Sequence, residues 1–321
     1  MRKSCGALLM FAVVAGCDTT MDAADIKLDV TDIGFYAAAF NESGESVVVG
    51  TVNSEAAQMY ELATGEQKHY WQHANMGDSG VVAADFSLDG KAVMTADINT
   101  LVKWDAASGK ALGYWTFPVK VRAVALSPNG EQALIGFEDM SALYFDLKQS
   151  KPLFLMEHDD IITTVDLSDD GRYAVTGSDD ETAKVWDLSN KGVLLHTFAF
   201  SNKVKSVALS SRGTYVMAAS AHMPAKVWKV ASGELVTEQG TNRSTVLSAK
   251  FSADESLLLL GYSSNRLLLN NTQTGAKLGG WYMDRKSRGT PSGAPVLAVG
   301  FAGKKAVVAA VANGYIVRFQ F

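Results

Sequence analysis

Several groups of side chains in this 321-residue sequence have the types that catalysis or metal binding uses. His158 and Asp180 supply an imidazole and a carboxylate, the two halves of a general acid–base pair. Ser79, within Gly77-Asp78-Ser79-Gly80, offers a hydroxyl between glycines, but a nucleophilic serine needs a base held within about 3 Å by a third group. The histidines, His69, His73, His158, His196 and His222, show no short ligand spacing, and cysteine occurs only at Cys5 and Cys17, so no metal site is expected. Asp169/Asp170 and Asp179/Asp180 fall among turn residues, where a short carboxylate bonds its own backbone, and turn chemistry explains them better than calcium. No glycine loop has phosphate-cradling spacing, and no cofactor is implied. What any of these side chains does depends on the elements that hold them.

Those elements read as strands. Between His158 and Asp187, apolar residues alternate with polar ones through Ile162, Val165 and Leu167, then Tyr173 and Val175, then Ala183, Val185 and Leu188. Asp169-Asp170-Gly171 supplies turn side chains and a glycine free to take positive φ, so the stretch is an antiparallel meander.

This stretch resembles the WD40 repeat, whose unit is a four-stranded propeller blade with a glycine-histidine-like start and a Trp-Asp finish. The resemblance implies a hydrogen-bonded structural tetrad of His158 in the loop leading into the blade, Thr176 on the second strand, Asp180 in the following turn and Trp186 on the third strand. His158 and Asp180 are then a structural pair rather than a catalytic one, since buried polar groups need partners. Gly77-Asp78-Ser79-Gly80 resembles the nucleophile loop of chymotrypsin-like proteases, but it lies in the loop entering the second repeat, and no other segment matches that family.

The repeat recurs. Third-strand aromatic positions or their equivalents fall at Tyr60, Trp104, Phe145, Trp186, Trp228, Asn270 and Phe319, spaced 44, 41, 41, 42, 42 and 49 residues apart. The first hairpins share one signature: AFNESG (39–44), DFSLDG (85–90), ALSPNG (125–130), DLSDDG (166–171), ALSSRG (208–213), KFSADE (250–255) and GFAGKK (300–305). After Phe319 no fourth strand follows, while Ile26 to Thr31 alternates like a strand with no repeat of its own. The expectation is an all-β, seven-bladed WD40-like β-propeller over residues 25–321, closed by an N-terminal strand in the last blade, which removes an open sheet edge.

The first residues, Met1-Arg2-Lys3, an apolar run from Leu8 to Val14 and then Val14-Ala15-Gly16-Cys17, read as a secretion signal over 1–16. The run is too short to span a bilayer as a helix. Its last four residues resemble the lipobox of bacterial lipoproteins, which implies a lipidated Cys17, a tether over 17–24 and a cell-envelope location. Asp18 resembles an inner-membrane retention signal and favours the periplasmic face of the inner membrane, with the outer membrane as the alternative. Loss of Arg2 and Lys3 moves the formal charge from −5 to −7, which argues against a nucleic-acid partner.

Aligning the repeats on their first strand puts Tyr36, Val82, Arg122, Thr163, Lys205, Leu247 and Leu297 at one rim position. Leu247, Leu297, Tyr36 and Val82 belong to repeats that are neighbours in a closed ring and form an apolar arc. Arg122 and Lys205, beside Lys120 and Lys203, form a basic arc. The long connection 284–295 adds Arg285, Lys286 and Arg288, expected to attract an acidic partner. The expected function is a non-enzymatic platform that binds a protein or peptide at this rim. A propeller enzyme of the quinone-dependent or hydrolytic type would need convergent polar groups around the channel, and a purely structural envelope protein would need no rim site at all.

Overall fold

The computed structural model describes residues 23–51, 56–73, 80–240, 243–286 and 293–321. The alternating pattern resolves into seven four-stranded antiparallel sheets. The first strand in the chain, β1 (Ile26–Asp29), stands apart from the repeats. Blade 1 is β2 (Phe35–Phe40), β3 (Ser46–Thr51), β4 (Ala56–Glu61) and β5 (Gln67–Gln72). Blade 2 is β6 (Ala83–Phe86), β7 (Ala92–Ala96), β8 (Thr100–Asp105) and β9 (Ala111–Thr116). Blade 3 is β10 (Val121–Leu126), β11 (Gln132–Phe137), β12 (Ser141–Asp146) and β13 (Lys151–Glu157). Blade 4 is β14 (Ile162–Leu167), β15 (Tyr173–Ser178), β16 (Thr182–Asp187) and β17 (Val193–Ala199). Blade 5 is β18 (Val204–Leu209), β19 (Tyr215–Ser220), β20 (Ala225–Lys229) and β21 (Leu235–Gln239). Blade 6 is β22 (Val246–Phe251), β23 (Leu257–Tyr262), β24 (Arg266–Asn271) and β25 (Lys277–Tyr282). Blade 7 is β26 (Val296–Phe301), β27 (Ala306–Val311) and β28 (Tyr315–Gln320), completed by β1.

The core lies between blades, because each sheet is apolar on both faces and must bury each against a neighbour. Val48 and Trp71 of blade 1 pack with Phe86, Val93 and Trp104 of blade 2. The ring closes the same way, with Phe35, Val47 and Val49 of blade 1 against Val308 and Ile316 of blade 7. The recurring third-strand aromatic receives an aromatic from the outer strand of the preceding blade: Trp71 stacks on Trp104 at 5.3 Å, Phe198 on Trp228 at 4.2 Å and Trp281 on Phe319 at 5.4 Å. Asn270 fills this place in blade 6 with a polar contact, its Nδ2 donating to Gln239 Oε1 at 3.1 Å. Second-strand glycines let the next blade approach; a Cβ on Gly177 would lie 2.6 Å from Val204 Cγ1.

Six of the first hairpins share one lock. Asn41 Oδ1 accepts from Ser46 N, and the hydroxyls of Ser87, Ser127, Ser168, Ser210 and Ser252 each accept the amide five residues on, at 2.8–3.0 Å. Blade 7 has Ala302 there, and its turn, 302–305, is one residue shorter than the others.

The closing strand is shorter than the sequence suggested. β1 pairs with β28 from Ile26 opposite Arg318 to Asp29 opposite Tyr315, after which only Val30 N continues, donating to Gly314 O. Leu188 also departs from the expected strand, opening a short 3-10 turn, Leu188–Asn190, capped by the Asp187 carboxylate. Asp284–Lys286 folds back over the clasp. The Lys286 ammonium, whose side chain is 6% exposed, bonds Asp29, Thr31 O and Asp32, and Lys27 pairs with Asp284 at 2.6 Å. Lys286 is therefore used to hold the ring shut, which corrects the expectation that it offers charge to a partner.

Candidate interaction site

The tetrad forms as the resemblance implied. His158 Nδ1 lies 2.7 Å from Asp180 Oδ2, His158 Nε2 lies 2.7 Å from Thr176 Oγ1, and Trp186 Nε1 donates to the same hydroxyl at 2.9 Å. Burial lowers the His158 pKa, against the pull of Asp180. Burial pushes Asp180 up, but hydrogen bonds from Asp159 N, Thr182 and His158 outweigh it and hold the carboxyl at about 2. A neutral imidazole then donates from Nδ1 to the carboxylate and accepts the Thr176 hydroxyl proton at Nε2. Both ring nitrogens are committed, and the side chain is fully enclosed. The pair has no route for passing a proton to a substrate.

Blade 2 holds a second version that sequence reasoning missed. His73 Nε2 lies 2.7 Å from Thr95 Oγ1, Trp104 Nε1 donates to that hydroxyl at 2.8 Å, and Asp97 Oδ2 lies 3.3 Å from His73 Nδ1. Its signal was the Thr-to-Trp interval, nine residues here and ten in blade 4. The carboxylate comes from two residues after the threonine instead of four, which hid the motif. His69 and His196 also have structural work: each lies on an outer strand and bonds a carbonyl of the following blade, Ala106 O at 2.8 Å and Val230 O at 2.7 Å. Among the described residues, no group of three or more His, Cys, Asp or Glu is placed to hold a metal.

The seven rim residues do come together. Tyr36, Val82, Arg122, Thr163, Lys205, Leu247 and Leu297 all line the mouth of a central cavity of about 460 Å³ to which every blade contributes its inner strand. One device places them. In six blades the ladder between first and second strands slips by one residue at this position, between Phe35 and Ala37, Val121 and Ala123, Ile162 and Thr164, Val204 and Ser206, Val246 and Ser248, and Val296 and Ala298. A β-bulge leaves its extra residue unpaired and re-aims the side chain. In blade 2 the ladder starts at Ala83, and Val82 holds the corresponding place through its amide bond to Ala96 O.

The apolar arc is continuous, since the inner strands of blades 6, 7, 1 and 2 are successive neighbours. Tyr36 is its most open member, 64% exposed. The basic arc is partly neutralised from within. Glu138 lies 3.4 Å from both Lys120 and Arg122, and Asp179 pairs with Lys203 at 2.8 Å and Lys205 at 2.7 Å. Two cations thus share each carboxylate, leaving the side positive but with less free charge than the sequence alone suggested. Arg285 is exposed at the start of its loop; Arg288, Cys17 and most of Gly77-Asp78-Ser79-Gly80 lie outside the described residues.

Deeper in the channel are groups the sequence reading passed over. Asp85 and Asp166 accept from the backbone of the next blade, at Leu126 N (2.7 Å) and Leu209 N (2.8 Å). Burial raises their pKa values to about 6 and about 7, although Lys250 draws both down. Burial alone would lower Lys250, but Glu42, Asp169 and Asp166 outweigh it and raise the ammonium pKa. These three side chains occupy the same repeat position, three residues after the rim, at the first letter of DFSLDG, DLSDDG and KFSADE.

Comparison with known proteins agrees with the geometry. Residues 150–187, which hold most of blade 4, match the family described as "WD domain, G-beta repeat". The chain is 50% identical over 52 residues to the methylosome protein WDR77 of Xenopus laevis, covering 16% of each chain. It is 32% identical over 117 residues to U3 small nucleolar RNA-associated protein 12 of Saccharomyces cerevisiae, covering 36% of this chain and 12% of that one. It is 35% identical over 71 residues to the small ribosomal subunit protein RACK1 of Drosophila melanogaster, covering 22% of each. The matched stretches thus span less than a quarter of these relatives. No described helix is long and apolar enough to cross a membrane. With seven four-stranded blades, a tetrad in blade 4 and a matching WD repeat around it, the chain is a seven-bladed, WD40-like β-propeller in its fold.

Proposed function

We propose that this propeller is a non-enzymatic interaction platform that grips a peptide or protein loop at the channel mouth. The observation that carries this is the ring of side chains at the mouth, six of the seven aimed by a bulge, in which four adjacent blades supply Leu247, Leu297, Tyr36 and Val82 while blades 3 and 5 supply Arg122 and Lys205. A desolvated apolar anchor beside a positive flank suits a partner segment with one large apolar side chain and a neighbouring carboxylate. The similarity to WD-repeat proteins supports a scaffold role. The enclosed His158–Asp180 pair gives a hydrolytic reading nothing to use.

The location is part of the same proposal: lipid on Cys17 would hold the protein at a bacterial cell envelope, with Asp18 favouring the inner membrane. The described chain enters on the face carrying the first hairpins, since β1 runs back from Asp29 toward that face.

Partner capture from membranes, followed by binding kinetics, tests the reading. Tyr36→Ala is expected to speed dissociation roughly tenfold, and Arg122→Gln with Lys205→Gln to slow association mainly at low salt. If neither set changes either rate for a stoichiometric partner, the mouth is not the site. Cys17→Ala is expected to release the protein from membranes; retention after a high-salt wash would remove the lipid anchor from the proposal.

A further inference from the structure

The opposite face has a recess unlike anything at the mouth. Between blades 6 and 2 the hairpins surround a cavity of about 860 Å³ whose apolar lining includes Leu88, Leu257 and Phe301. Blade 7, with the shortened hairpin that lacks the hydroxyl lock, lies here between the longer, locked turns of blades 6 and 1. Gly44 brings blade 1's turn directly against blade 7, where a Cβ would meet Phe301 O at 2.6 Å.

Four carboxylates share this lining: Glu42, Glu45, Asp89 and Asp254. Glu42 is matched by Lys250 at 3.1 Å and Asp89 by Lys91 at 2.9 Å. Glu45 and Asp254 have no cationic partner among the described residues; Ser43 donates to the first, and Ser252 and Ser256 to the second. Lys304 is the cation in the recess lining itself; Lys250 and Lys91 lie outside it. Leu88 is 37% exposed.

We propose that this recess is a second docking site, for a partner protein's extended segment in which a large apolar side chain is flanked by lysine or arginine. The apolar side chain packs on Leu88 and Phe301, and the flanking cations reach Glu45 and Asp254, which lack partners of their own sign-opposite kind. The match is the reverse of the mouth, whose flank is positive, so the two faces select different segments. An anionic bilayer or a nucleic acid would meet carboxylates here and is disfavoured.

Selection from a pool of randomised peptides of about nine residues, on the order of 30 Å when extended, tests this on the soluble propeller carrying Cys17→Ser. The expected result is enrichment of Lys/Arg-apolar-Lys/Arg segments. A synthetic copy of the enriched peptide should bind roughly tenfold more weakly to Leu88→Arg and to Glu45→Lys, and with unchanged affinity to Tyr36→Ala. Leu88 and Glu45 are both exposed side chains, and melting curves check that each variant folds. Failure to enrich such segments overturns the proposal. So does binding that Leu88→Arg and Glu45→Lys leave intact, and binding lost in Tyr36→Ala would assign the peptide to the mouth instead.

Discussion

Thr176→Val removes one hydroxyl and keeps the β-branched shape, so it isolates the tetrad's hub. The Thr176 side chain is fully buried, and its oxygen accepts from Trp186 Nε1 while its proton serves His158 Nε2. Valine leaves a buried donor and a buried acceptor unsatisfied, each costing about 1–3 kcal/mol. Because the surroundings relax in part, the expected loss is about 2–5 kcal/mol. At about 2 °C per kcal/mol for a chain of this size, that is a fall in Tm on the order of 5–10 °C. The assay is thermal unfolding of Thr176→Val, Trp186→Phe and the double variant. Trp186→Phe removes the donor, so adding Thr176→Val to it should cost only the His158 share, and the two substitutions should be less than additive by about 1–3 kcal/mol. A Tm change below about 1 °C for Thr176→Val, or strict additivity in the double variant, would refute the account of the hub.

Asp29→Ala should lower stability by about 1–2 kcal/mol, because the nearly buried Lys286 ammonium is left with Thr31 O, the exposed Asp32 and the face of the Tyr315 ring; hydrogen exchange should rise first in β28, and unchanged protection there would mean the clasp is not closed by this pair. Asp166 should make stability fall as pH rises from about 4 to 7. The unfolded carboxyl gives up its proton near 4, whereas the folded one, its pKa raised to about 7, keeps it through that window, so ionisation above it opposes folding. Asp166→Asn should therefore gain roughly 2–4 °C on wild type between pH 5 and pH 8, keeping the acceptor for Leu209 N, and a pH-independent difference would count against the assignment.

The blade count and the seven rim positions were legible because each rests on a repeat, and the closing strand because it was left over from them. A strand's side-chain period, a hairpin signature and an aromatic near every forty-second residue survive even when single blades degrade. What the sequence hid depends on contacts between blades. The second tetrad escaped because Asp97 reaches His73 from a different turn position than Asp180 reaches His158. Lys286 read as free charge because its partners, Asp29 and Asp32, are more than 250 residues away in the chain. The neutralising roles of Glu138 and Asp179 were likewise invisible until the turns after β11 and β15 lay beside the bases of the mouth. The hairpin-face recess is lined from four blades, among them the one-residue-shorter turn of blade 7, a difference present in GFAGKK but meaningless without neighbours to measure it against.

The clasp has a mechanical consequence. A strand pulled at one end fails easily when its bonds open one at a time, like a zipper, and resists when the load runs along its axis and is shared by the whole ladder. β1 receives the chain from the hairpin side and lies antiparallel to β28, so traction on residues before Ile26 from that side runs along the strand. At the far end, Asp29 is held by Lys286 and Val30 by Gly314, which act as a stop against sliding. Traction from the mouth side would instead lift Asp25 and Ile26 first and peel the ladder toward Asp29. The ring is thus built to bear tension from one face and to open under tension from the other.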